Sequence, residues 1–141
     1  MIGIVLIAHA RVASESKKTV EHVLGEQSFL IAIDVENSDD IDNSLARMKL
    51  AIKQCTTDVG VLVFADMLGG TPCNIAQSSA TDDRCEVISG FNIPTLIKAV
   101  SERATAKDVK VFAKDVVATG KQYMCVTSEF MTATPDGSVH G

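Results

Sequence analysis

Gly60-Val61-Leu62-Val63-Phe64-Ala65-Asp66-Met67-Leu68-Gly69-Gly70-Thr71-Pro72-Cys73-Asn74 is the stretch that decides how this chain folds. An unbroken apolar run closing on an aspartate reads as a strand buried on both faces, because a strand covered on one face alternates apolar with polar residues. Gly69 and Gly70 then turn the chain. Thr71 is placed to cap a helix with Pro72 at its first helical position, and the helix runs through about Ala80. A strand that feeds a glycine turn and then a helix is half of a parallel βαβ unit.

Working outward, the same unit recurs. Ile2-Gly3-Ile4-Val5-Leu6-Ile7 is a second continuous apolar strand. Ser14-Glu15-Ser16-Lys17-Lys18 leads into Val20, Val23 and Leu24 on one helical stripe, with Gly25 as its stop. Phe29 to Val35 is a strand, and Asp39 and Asp40 cap a helix whose apolar residues are Ile41, Leu45, Met48, Ile52 and Cys55. Beyond the central stretch, Glu86 to Ser89 is a strand ending at Gly90, and Ile93-Pro94 opens a helix through about Ala104. Lys107 to about Tyr123 is a last helix, followed by a short strand at Met124-Cys125-Val126-Thr127. The pattern predicts an α/β fold: a single domain with an open, mainly parallel four-stranded sheet, order 2-1-3-4, helices on both faces and a short C-terminal strand. The domain is expected over 1–128 and a flexible tail over 129–141, with His140 in that tail.

The chain has 141 residues, 46% of them apolar and 22% charged, which suits one core of roughly 100–150 residues and excludes a disordered chain. Acidic residues exceed basic ones by 18 to 13, and the aromatics are five Phe and one Tyr. Nucleic acid is therefore not an expected partner, since phosphate backbones need clustered Lys and Arg. Cys55, Cys73, Cys85 and Cys125 form no CxxC pair, so neither a disulfide framework nor a zinc site is expected, and no metal or cofactor is called for. Ala8-His9-Ala10 mimics a signal cleavage site, yet no Lys or Arg precedes the short apolar run, which reads instead as the first strand. With no run near the ~18 apolar residues of a membrane span, a cytoplasmic protein is expected.

Ligands of open parallel sheets bind outside the strand C-termini, where the winding reverses. With order 2-1-3-4, His9 and Asp66 end neighbouring strands and face one crevice. A carboxylate that accepts the proton of one imidazole nitrogen leaves the other with a nucleophilic lone pair, and Gly69 and Gly70 let backbone N–H groups approach an anion at a helix start. Thr71 adds a hydroxyl. Such a set holds a phosphoryl group against His9. Arg11 is the nearby cation suited to a phosphate or partner contact, while His22 is read as a solvated helix residue. Competing chemistries lack their parts. Cys73 at a helix start has Ser79 where a Cys-x5-Arg phosphate loop needs Arg, and is read as core packing. Asp34 is not accompanied by a GxGxxG loop, nor is there a Walker A lysine.

Ile4 to His9, Asp66 to Asn74 and Gly90-Phe91-Asn92-Ile93-Pro94 together closely resemble the enzyme IIA domain of the mannose (mannose–fructose–sorbose) family of the bacterial phosphoenolpyruvate:sugar phosphotransferase system. The similarity runs from Met1 to roughly Thr127. It implies a phosphotransferase that accepts a phosphoryl group from the phosphocarrier HPr on His9 Nε2, with Asp66 on Nδ1 and Thr71 near the phosphate, and passes it to an enzyme IIB for sugar uptake. Asn92 and Pro94 fall at the site rim by the same resemblance. It also implies a homodimer that exchanges a C-terminal strand, here around Cys125 to Thr127, and membrane contact only indirectly through a IIC/IID complex. Two positions depart from the family: Ala10 stands where Gly follows the histidine, and Thr95 where Met follows Asn-x-Pro, touching the turn behind the imidazole and a docking surface respectively. The alternatives are a stand-alone regulatory IIA protein whose phosphorylation state controls a partner, and a non-catalytic anion-binding module.

Overall fold

The computed structural model describes residues 1–36 and 40–132, the last two by their backbone alone. In chain order its elements are β1 (Gly3–His9), α1 (Val12–Leu24), β2 (Leu30–Val35), α2 (Ile41–Cys55), β3 (Val61–Ala65), α3 (Thr71–Ser79), β4 (Cys85–Ser89), α4 (Ile93–Glu102), α5 (Val109–Tyr123) and α6 (Thr127–Thr132). The four strands make one parallel sheet in the order β2-β1-β3-β4, as the sequence predicts.

The two central strands are buried because both of their faces are covered. On one face Ile4, Leu6 and Ala8 of β1 with Leu62 and Phe64 of β3 meet α1, α4 and α5 through Val20, Leu96, Phe112 and Val116. On the other, Val5, Ile7, Val63 and Ala65 meet Met48 and Cys55 of α2 and Cys73 and Ala76 of α3. Alternate residues thus enter opposite cores, the period of a strand. Phe64 is fully buried, and its ring meets Phe91 edge-on at 6.2 Å, which fastens the loop after β4 to the core.

Register sets the functional end. Ile7 pairs with Ala65 and His9 with Val35, so β1 and β3 finish side by side with His9 and Asp66 at their C-terminal ends. Capping fixes helix starts at both ends of the sheet. Asp40 accepts from Asp42 N at 3.0 Å to start α2, and Asp108 accepts from Lys110 N and Val111 N to start α5, each satisfying orphan N–H groups. Asp39, the other expected cap, and the tail from 133 onward, with His140, lie outside the described residues.

Three local expectations are corrected. The N-cap of α3 is Gly70, with extended backbone, and Thr71 is already helical. Helix α5 begins after Asp108 rather than at Lys107, because the Asp108 carboxylate takes the first free N–H groups. The expected terminal strand is replaced: 124–126 is irregular and α6 follows, since Val126 O accepts from Glu129 N at 3.0 Å and Phe130 N at 3.1 Å. The Val126 carbonyl thus enters the first turn of a helix and not a strand ladder.

Candidate functional site

Asp66, one residue past the end of β3, reaches across the strand ends to His9 at the end of β1. Its Oδ2 lies 2.8 Å from His9 Nδ1 and accepts from the His9 backbone N–H at 3.0 Å, across 57 residues of chain. Its Oδ1 accepts from Met67 N at 3.1 Å. An ionised carboxylate has no proton to give, so the ring nitrogen facing it is the donor, Nδ1–H, and Nε2 carries the lone pair. Nε2 makes no hydrogen bond among the described residues. The carboxylate is largely sheltered, its side chain 16% exposed, while the imidazole is 45% exposed. One aspartate therefore fixes the backbone, ring orientation and tautomer of a histidine that faces outward.

The turn from Asp66 to α3 closes over this ring. Gly69 has φ +83, a left-handed conformation that glycine adopts without steric cost. Gly70 sits directly against the imidazole: a Cβ there would stand 2.7 Å from His9 Cε1. No side chain caps α3, so N–H groups of its first turn are free for an incoming anion at the positive end of the helix. Thr71 is exposed at that same end. Met67 and Leu68, 55% and 73% exposed, form an apolar lip beside the histidine. The arrangement brings an imidazole with its Nδ1 on a carboxylate and an uncapped helix start to one strand end.

Each remaining expected residue has a definite place. Arg11 is the N-cap of α1, exposed, with its guanidinium 4.0 Å from Glu15. Asp34 is taken up structurally: it accepts from Ser14 N at 2.9 Å and Ser14 Oγ at 2.6 Å, capping the first turn of α1 in place of an N-cap side chain. Asn92 Oδ1 accepts from Thr95 N at 3.0 Å while its Nδ2 donates to Gly120 O at 3.1 Å, so both ends of this amide join α4 to α5. Pro94 lies in the first turn of α4, partly buried. Cys73 is buried in the core, His22 is exposed, and burial raises the thiols of Cys55 and Cys85, the latter to about 11. Among the described residues no group of three or more His, Cys, Asp or Glu gathers to hold a metal, and no helix is long and apolar enough to cross a membrane.

The family profile described as "EIIA-man: PTS system fructose IIA component" matches residues 3–117. The chain belongs to this family, the mannose-type enzyme IIA components of the phosphotransferase system. It is 30% identical over 122 residues to the PTS system mannose-specific EIIAB component of Escherichia coli (strain K12), an overlap of 86% of this chain but only 38% of that protein. With the PTS system fructose-specific EIIA component of Bacillus subtilis (strain 168) it shares 28% identity over 134 residues, 93% of this chain and 90% of the relative. Among solved structures, the mannose/sorbose specific IIA subunit from Enterococcus faecalis superposes with a TM-score of 0.80 at 25% identity, covering 89% of this chain and 93% of that one. The EIIA component from Streptococcus agalactiae gives 0.79 at 25% identity, with 92% and 99% covered.

The two positions that the resemblance singles out, Ala10 and Thr95, sit in different settings in this enzyme IIA component. Ala10 has φ +52, so the position following the histidine is one that favours glycine, and alanine occupies it with some strain. Thr95 is 4% exposed and closes a capping box, its Oγ1 accepting from Asn92 N at 3.2 Å; its side chain is committed to the α4 start. The box departs from the usual Glu or Gln at its third position, which is why the sequence did not announce it. The contact of Gly70 with the ring had no sequence signal beyond the glycine pair.

Proposed function

We propose that this enzyme IIA component is a histidine phosphocarrier, with His9 Nε2 as the acceptor of a phosphoryl group from phosphorylated HPr and as its donor to an enzyme IIB. The observation that carries the reading is the 2.8 Å contact between His9 Nδ1 and Asp66 Oδ2, which leaves Nε2 as the uncommitted nitrogen. In the transfer, the Nε2 lone pair forms a bond to phosphorus as the bond to the donor's nitrogen breaks and its electron pair returns to the donor. The phosphorylated imidazole keeps its Nδ1 proton and is cationic, and the Asp66 carboxylate beside it offsets that charge. The free N–H groups at the start of α3, framed by Gly69, Gly70 and Thr71, suit the phosphoryl oxygens. Asn92 supports the rim indirectly, by holding α4; Arg11 and Pro94 are proposed as partner contacts at that rim.

The sugar-specific relatives are named for mannose, fructose and sorbose. A site of this kind meets a phosphorylated protein and not a sugar, so the proposal extends to a sugar phosphotransfer relay whose sugar is set elsewhere, with any membrane contact made by a IIC/IID partner and this chain working in the cytoplasm. A homodimer is part of the proposal. The outer edge of β4 has no strand partner among the described residues, and beside it runs a groove of about 680 Å³ lined by Val87, Ile88, Lys110, Lys114, Val117 and Lys121, among others. Met124 and Val126, 77% and 61% exposed, lie in an apolar segment that would pair with that edge from a second copy.

Single-turnover uptake from phospho-HPr tests the role of the pair. Asp66→Asn should slow uptake by about 10²-fold or more, since the amide no longer balances the imidazolium charge or selects the tautomer. Uptake unchanged in Asp66→Asn would remove the basis of the reading.

A further inference from the structure

The two glycines of the turn after Asp66 are glycine for different reasons. Gly69 has φ +83, and a Cβ built there meets nothing within 4 Å; its need is conformational. Gly70 has φ −83 and ψ 164, extended backbone open to every L-residue. Its need is spatial, and the neighbour is the histidine: an added Cβ would lie 2.7 Å from His9 Cε1, 3.3 Å from His9 Nε2 and 3.5 Å from Met67 Cγ. The ring's Nδ1, bonded to that same Cε1, lies 2.8 Å from Asp66 Oδ2. The imidazole thus meets a carboxylate at Nδ1 and a bare Cα at the adjoining Cε1.

We infer that Gly70 is the positioning residue of His9: its missing side chain makes the seat in which the ring lies with Nδ1 on Asp66 and Nε2 uncommitted. The three atoms nearest to an added methyl group all belong to side chains, and the imidazole is 45% exposed and free to swing outward about its own torsions. A substitution at Gly70 therefore leaves the backbone in place and moves the ring off Asp66. The inference deepens the phosphocarrier reading and rests on it for its functional consequence; the geometry of the ring is tested separately.

Long-range ¹H–¹⁵N NMR of the His9 imidazole, with thermal melting and uptake from phospho-HPr, would be measured on wild type, Gly69→Ala and Gly70→Ala. Wild type and Gly69→Ala should show the Nδ1–H tautomer, with Gly69→Ala melting lower. Gly70→Ala should melt close to wild type, show the mixed tautomers of an untethered imidazole, and take up phosphate on the order of 10²-fold more slowly, the penalty of a misplaced reacting group. In the His9→Ala background, adding Gly70→Ala should change melting no further, because the ring it strikes is gone. A wild-type tautomer in Gly70→Ala, or a fold lost in it, would overturn the inference. A displaced ring in Gly70→Ala alongside a wild type that takes no phosphate would leave the seat standing and defeat the phosphocarrier reading instead.

Discussion

At the scale of single residues, the site depends on a few backbone positions whose conformations admit few side chains. His9 donates its backbone N–H and its ring proton to one carboxylate oxygen, so the chain after it must turn sharply, and Ala10 does so at φ +52. A left-handed alanine costs roughly 1–2 kcal/mol, partly offset because alanine has less freedom than glycine to lose from the unfolded chain. Ala10→Gly should therefore stabilise the protein by up to about 1 kcal/mol in denaturant unfolding, with the His9–Asp66 contact intact. A destabilised Ala10→Gly would mean that the methyl group is held by packing, which its exposure argues against. The histidine and aspartate were legible in the sequence because strand order brings two remote strand ends together. The seat at Gly70 was not, because a glycine pair looks the same whether it serves a turn angle or a close approach.

At the scale of elements, the strands and most helix boundaries follow from local pattern: continuous apolar runs for the buried strands, and Asp40 as the cap of α2, while the pattern sets the start of α5 at Lys107 and misses the Asp108 cap. The joint between α4 and α5 was not legible, because it depends on one element fitting another. Gly120 lies inside α5, where glycine is disfavoured by roughly 0.5–1 kcal/mol against alanine. A Cβ there would come within 2.2 Å of Thr95 Cγ2, and Thr95 is held in the capping box that starts α4. Gly120→Ala should therefore destabilise the fold by about 1–3 kcal/mol in spite of its better helix propensity. Thr95→Ser deletes the opposing methyl while keeping the capping oxygen. Combined with Gly120→Ala, it should recover most of the loss, and equal melting of the single and double variants would exclude the clash as the cause. The C-terminal segment shows the converse error: Met124-Cys125-Val126 has strand composition, but a strand needs a partner edge, and in a single copy the chain turns into α6 at the Val126 carbonyl instead.

At the scale of the whole molecule, the parallel order β2-β1-β3-β4 leaves β4 without a second strand partner among the described residues, and the exposed apolar residues Tyr123, Met124, Val126 and Phe130 follow one another from the end of α5. The proposed homodimer brings these two features together across copies. Light scattering at micromolar concentration should give the mass of two chains for wild type and of one for Met124→Lys/Val126→Lys, with the helical signal of the domain kept; a wild-type monomer would remove this part of the proposal. The central claim concerns the histidine and is tested most directly by mass. Incubation with phosphoenolpyruvate, enzyme I and HPr, followed by intact-mass measurement before and after acid treatment, should show a gain of one phosphoryl group, about 80 Da, in wild type. The gain should vanish on acidification and be absent from His9→Ala. A His9→Ala protein that still gains the phosphoryl group, or a wild type that never does, would contradict the account.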